Sequence, residues 1–181
     1  MDRKKWIFGT VIVLLLSVIL GFYLFYQNYQ FGLRLYNEVN EMSVKTNNIA
    51  ASIAFLEEKR ENGQLDLSND RYSFDQAIVD VAWIRFGAED MPFTETVSSA
   101  WIQKFNEIYQ QSVVNDTENK GLDKLLTEKG EELSEIRNTM EKLTQRFIAF
   151  NEHYNQMSLW QRCTADWKTE ITKFSELAGM P

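Results

Sequence analysis

One histidine, one cysteine and a short run of acids are the residues of this 181-residue chain whose types could do chemistry. His153 follows Glu152, but a di-iron helical bundle needs Glu-x-x-His motifs on facing helices, and position 150 is Phe. His153 therefore reads as a surface or boundary residue. Glu128, Glu131, Glu132 and Glu135 share one helical face and could hold a hard cation. Lys124 and Lys129 lie among them, so a solvated charged face is the simpler reading. Cys163 sits on an apolar stripe and reads as a buried, inert thiol; a lone cysteine excludes an intrachain disulfide. Asn115, Asp116 and Thr117 match a glycosylation sequon, which matters only in a eukaryotic secretory pathway. The chain has no nucleophile elbow, phosphate-cradling glycine loop, EF-hand pattern or dinucleotide fingerprint. We expect no enzyme, no cofactor and no metal.

Arg85 is the more interesting charge. It shares a helical face with Phe74, Ile78 and Val81, in a chain with tryptophans at 83, 101, 160 and 167. An inward arginine near Trp83 and Trp101 could hold an anionic ligand or a partner's carboxylate. The plainer reading is an arginine snorkelling at a helix C-terminus, where its charge meets the helix dipole. The tryptophans read as core.

The elements that must position these residues begin with a membrane segment. Residues 6–26, WIFGTVIVLLLSVILGFYLFY, contain no charge. Spanning a hydrocarbon core of about 30 Å takes about 20 helical residues. A cleaved signal peptide would have a shorter apolar stretch ending in small residues, whereas this one ends in Phe22, Tyr23, Phe25 and Tyr26. An uncleaved signal anchor is expected, with Trp6, Tyr23 and Tyr26 at the headgroup level. Arg3, Lys4 and Lys5 precede the span and only Arg34 follows closely. The positive-inside rule then puts residues 1–5 in the cytoplasm and residues 27–181 outside the cell (inner or plasma) membrane. The net charge is -7. That acidic balance argues against nucleic acid as a partner, and residues 27–181 should be repelled by anionic lipid.

The outer part is patterned for helices. Leu35, Val39, Met42, Ile49, Ile53 and Leu56 form a heptad-like seam with Thr46 in its one polar slot. No breaker precedes Asn62-Gly63, so this helix continues the span. Ser73 and Gln76 suggest a capping box for a helix over 74–87. A break around Pro92 and a helix over 94–114 follow. Leu133, Ile136, Met140, Leu143, Phe147, Phe150, Tyr154 and Met157 then step by three and four without a miss. Helices are expected over 117–157 and, after Ser158 and Gln161, over 158–178. The fold class is all-α: one N-terminal transmembrane helix followed by an antiparallel, up-down four-helix-bundle-like outer domain. In that topology Tyr154 and Met157 lie far from the membrane. The seam from Leu122 to Leu133 lies near it and outruns the last helix, so Leu126 and Leu133 are expected to contribute to self-association or a partner contact.

The layout resembles LemA-type bacterial membrane proteins. Leu35, Tyr36, Asn37 and Glu38 after the anchor look like that family's Tyr-Asn pair, and Lys59-Arg60 falls where the family has two arginines. Phe147 and Tyr154-Asn155, seven apart, are similar to the paired motifs of its long helix. The family's Leu-Ile-Pro-Asn-Leu after the basic pair is missing here. The resemblance implies a membrane-associated scaffold without assigned catalytic residues.

The expected function is a non-enzymatic, membrane-anchored scaffold or accessory subunit that contacts lipid through its N-terminal helix and a protein partner or second copy through helix–helix contacts. The alternative is an extracytoplasmic ligand-sensing bundle that signals through a membrane partner.

Overall fold

Residues 3–61 contain no proline and only three glycines, so nothing in them forces a helix to stop. In the computed structural model, which describes residues 3–66, 69–87, 107–108 and 121–177, they form one helix, α1 (Arg3–Glu61). At 1.5 Å per residue it is about 89 Å long. It ends in a closed turn. Gly63 takes φ 64°, its N–H donates to the Arg60 carbonyl, and the Gln64 N–H reaches back to the Lys59 carbonyl at 2.8 Å. Gly tolerates that left-handed geometry, and Lys59 and Arg60 place positive charge in the last turn.

The rest of the described chain is α2 (Arg71–Gly87), α3 (Gly121–Glu128), α4 (Gly130–Gln156), α5 (Leu159–Thr164) and α6 (Trp167–Leu177). No strand occurs among the described residues. α1 has two halves of opposite character. Its apolar residues from Trp6 to Tyr26 are exposed, while Leu35, Val39, Met42, Ile49, Ile53 and Leu56 are buried. The same helix is thus long and apolar enough at its N-terminal end to cross a membrane, and is the central element of the core farther along.

α4 packs along that second half. Its seam residues Leu133, Ile136, Met140, Leu143, Phe147, Phe150 and Tyr154 are all buried. Each buried aliphatic side chain of this size contributes roughly 1.5–3 kcal/mol. Polar contacts fix the register. Arg137 pairs with Glu57, Thr144 meets Thr46 at 2.8 Å, and Asn151 reaches Asn40 at 3.4 Å. Partners rise along α4 as they fall along α1, so the two helices run in opposite directions. α2 also runs against α1, with salt bridges of 2.8 Å from Lys59 to Asp70 and from Lys45 to Asp80.

Several expectations are corrected. The direction of α4 is the reverse of that expected: Tyr154 lies by Tyr36, toward the apolar end of α1, while Arg137 lies by Glu57. Leu126 and Leu133 sit at the far end, where Arg60 donates to the Leu126 carbonyl at 2.9 Å. They are 2% and 1% exposed. Both side chains are covered within the chain itself, so neither presents an apolar surface to a partner. The helix expected over 117–157 is interrupted at Lys129, whose φ of -122° and ψ of 14° leave the helical region. Bonds from Lys129 to the Leu125 carbonyl and from Leu133 to the Lys129 carbonyl bridge the interruption, so the seam continues through it. α2 starts at Arg71, ahead of the Ser73 cap. Asp70, held by Lys59 and by the Asp66 N–H, fixes the chain's entry instead. The segment expected as one helix over 158–178 is two, because Ala165 is extended and Asp166 starts a new helix by accepting from Thr169.

The Thr46 and Thr144 hydroxyls lie 2.8 Å apart; each also faces the carbonyl four residues back at 2.9 Å, and Thr46 faces the Ser43 carbonyl at 3.2 Å. One of them must donate across the interface. Thr46→Val or Thr144→Val alone should cost about 0.5–1.5 kcal/mol, one net hydrogen bond. The double variant should cost no more than either single, read from urea melts of the detergent-solubilised protein; additive losses would show that the pair is uncoupled.

Asp70 supplies a pH signature. The hydrogen bond from the Lys59 ammonium holds its carboxyl below the ordinary value of 3.8. Since the folded value lies below the unfolded one, this stabilisation is complete above about pH 4 and is lost as pH falls through the lower folded value. Asp70→Asn should therefore be less stable than wild type at pH 7, and the gap should close in melts recorded below that window.

Candidate functional site

The C-terminal helices clasp α1 just beyond its apolar stretch. Asn28 is the hub. Its amide nitrogen donates to the carbonyls of Cys163 and Ala165, each at 2.9 Å, where α5 ends and α6 begins. Its own carbonyl accepts the Trp167 indole N–H at 3.1 Å. A single asparagine thus satisfies the exposed carbonyls of a helix end and the polar edge of a core tryptophan.

Trp167 is 3% exposed and packs against α1 at Gly32. A Cβ at position 32 would stand 2.3 Å from Trp167 Cζ2, so only glycine allows this approach. Tyr154 joins the cluster, its ring 4.7 Å from Tyr36 and 5.7 Å from Trp167. The Arg162 guanidinium lies over the same ring at 4.4 Å. Burial pushes the Tyr154 hydroxyl above its ordinary range, with Arg162 opposing that shift. Beside the clasp is an open groove of about 560 Å³ lined by Asn28, Phe31, Trp167, Lys168 and Ile171, among others.

α5 hangs below this cluster, toward the apolar end of α1. The Trp160 ring meets Phe25 at 5.2 Å, yet Trp160 is 65% exposed and Leu159 67%. The expectation that Trp160 is core is therefore wrong. Ala165 and Asp166 end α5 and redirect the chain, so the stripe that buries Trp167 and Ile171 does not continue back to Trp160. Cys163 is half-buried rather than enclosed.

The other expected site residues are dispersed. Trp83 and Arg85 fall in α2 with side chains outside the description, and Trp101 lies outside the described residues. Trp6, Tyr23 and Tyr26 are exposed along the apolar part of α1, 66%, 56% and 58% respectively. His153 is on the surface, 3.6 Å from Glu170. Glu132 pairs with Lys129 at 2.8 Å. Among the described residues no three His, Cys, Asp or Glu side chains converge to hold a metal ion. Sequence reasoning missed Asn28 and Gly32. Gly32 carried a signal, because a glycine inside an unbroken helix costs about 1 kcal/mol and marks a close approach.

Comparison with protein-family models, with curated proteins and with solved structures finds no match to this chain. The likeness to LemA-type proteins stands on the residues quoted for it alone.

Gly32→Ala should force Trp167 off α1 and cost about 1–3 kcal/mol, the range for overpacking a tight contact. Pairing it with Trp167→Phe should recover part of the loss, as a coupling energy in a double-mutant cycle. Strictly additive effects would mean that Gly32 and Trp167 do not share the contact.

Proposed function

We propose that this protein is a single-pass, membrane-anchored helical module that acts without catalysis, by presenting an outer domain at a fixed orientation to a protein partner. In this reading the N-terminus is cytoplasmic, residues 27–181 are extracytoplasmic, and the domain is an antiparallel four-helix-bundle-like unit. The observation that carries it is the unbroken α1, exposed and apolar over residues 6–26 and buried as the central core helix from Leu35 onward. A flexible tether would let the domain swing. A continuous helix clasped through Asn28 and Trp167 just beyond the apolar stretch leaves no loop between anchor and domain. That is useful for positioning a binding surface. The side chains gathered around Asn28 are spent on holding helices together.

One observation favours ligand sensing as the second reading: the open groove by Asn28 and Phe31 lies against the same rigid helix, so an occupant could bias it. Ligand-dependent thermal shifts that vanish in Phe31→Asp would favour the sensor.

Topology is the first test. Glu131 is exposed at the end of the domain far from the apolar stretch. In a Cys163→Ser background, Glu131→Cys should react with a membrane-impermeant maleimide added to intact cells, and Asp2→Cys should react only after permeabilisation. The reverse pattern would overturn the orientation. For the scaffold role, a defined partner should co-purify in mild detergent and be lost when Gly-Gly is inserted after Gln27, ahead of Asn28 and Gly32, which keeps anchor, clasp and domain but breaks the helix that joins them. Retention of that partner would show that fixed orientation is not what the module supplies.

A further inference from the structure

Two helices in the C-terminal segment carry tryptophans that are treated oppositely. Trp167 is 3% exposed, while Trp160, seven residues earlier, is 65% exposed beside Leu159 at 67%. The height of this exposed pair is set by α1. Its ring partner Phe25, 5.2 Å away, is the penultimate residue of the apolar stretch 6–26, which the polar Gln27 and Asn28 end. At helical rise that stretch is about 31 Å long, so Phe25 lies at the outer edge of a hydrocarbon core of about 30 Å. Tyr26, on the next position of α1, is 58% exposed at the same level. This is the depth at which tryptophan and tyrosine are enriched in membrane proteins.

α5 is also chemically suited to leave bulk water. Ser158 and Gln161 satisfy each other: the Ser158 N–H donates to Gln161 Oε1 at 2.7 Å and the Gln161 N–H to Ser158 Oγ at 3.3 Å. Its last carbonyl neighbours are taken by Asn28. Arg162 is drawn back over Tyr154, away from the exposed pair.

We propose that α5 is a second membrane-contacting element, with Leu159 and Trp160 entering the headgroup–acyl boundary of the outer leaflet beside the exit of α1. The inference rests on residues 6–26 spanning the bilayer. The occupant is lipid, because the exposed pair continues the lipid-facing surface of α1 through Phe25. The contact is apolar rather than electrostatic, in keeping with the acidic balance of the chain, and does not require anionic lipid.

The test uses full-length protein in phosphatidylcholine nanodiscs, in a Cys163→Ser background, with nitroxide labels placed singly at Leu159→Cys, Val18→Cys and Glu131→Cys. Collision rates with oxygen and with a water-soluble nickel chelate report depth. The proposal expects an oxygen-to-nickel ratio at 159 several-fold above that at 131 and below that at 18, unchanged by salt. A ratio at 159 equal to that at 131, with 18 still lipid-like, overturns the proposal and leaves the span intact. Low collision with both reagents at 159 overturns it in favour of a protein contact or a second copy. An aqueous reading at 18 removes the span itself, and the proposal with it.

Discussion

The packing of α4 against the C-terminal half of α1 is the contact on which the rest of the described structure depends. α1 offers a seam of aliphatic side chains that begins only after the apolar stretch, and α4 fills it with Leu133 through Tyr154. Burial supplies the attraction but specifies register weakly, because a seam with three-and-four spacing still buries apolar residues when shifted by one repeat. The register comes from the few polar pairs in the seam. Glu57–Arg137, Thr46–Thr144 and Asn40–Asn151 would all be mispaired by a shift of one turn. Burial raises Glu57 from its usual carboxylate range while Arg137 opposes the shift.

Fixing α4 fixes everything after it. Tyr154 ends up against Tyr36, and the turn at Met157 and Ser158 then releases the chain beside the first residues beyond the apolar stretch. There Asn28 collects two carbonyls and an indole, and Gly32 admits Trp167 to the helix backbone. Core packing and the polar clasp therefore converge on one level of α1. The consequence is a domain that runs without a break into its own apolar helix, with an exposed tryptophan and leucine at the junction.

Much of the architecture was legible in the residues. A charge-free run without proline gives a helix that cannot bury all its sides in a domain this small, and Asn62-Gly63 marks its end. The three-and-four spacing of apolar residues names the buried faces of α1, α2 and α4 residue by residue, and burial follows it at nearly every position. These are local properties: hydrogen-bonding periodicity, side-chain polarity and glycine's backbone freedom act over a few residues, so they can be read from a few residues.

Direction and partnership are not local. A seam with three-and-four spacing reads the same in either direction, so it named the inward face of α4 but left its heading to the tertiary pairings of Arg137 and Tyr154. Thr46 stood in the α1 pattern as a polar interruption; only the fold gives it Thr144, a residue off the expected stripe, as its partner. Trp160 and Trp167 sit on one stripe by spacing, yet Asp166 starts a new helix between them and sends one outward and the other onto Gly32. The sequence by itself determined that α1, α2 and α4 are helical and which face each of them buries, because those follow from near-neighbour chemistry. The tertiary structure decided heading, register and the height of α5, because those depend on contacts between residues 80 or more positions apart.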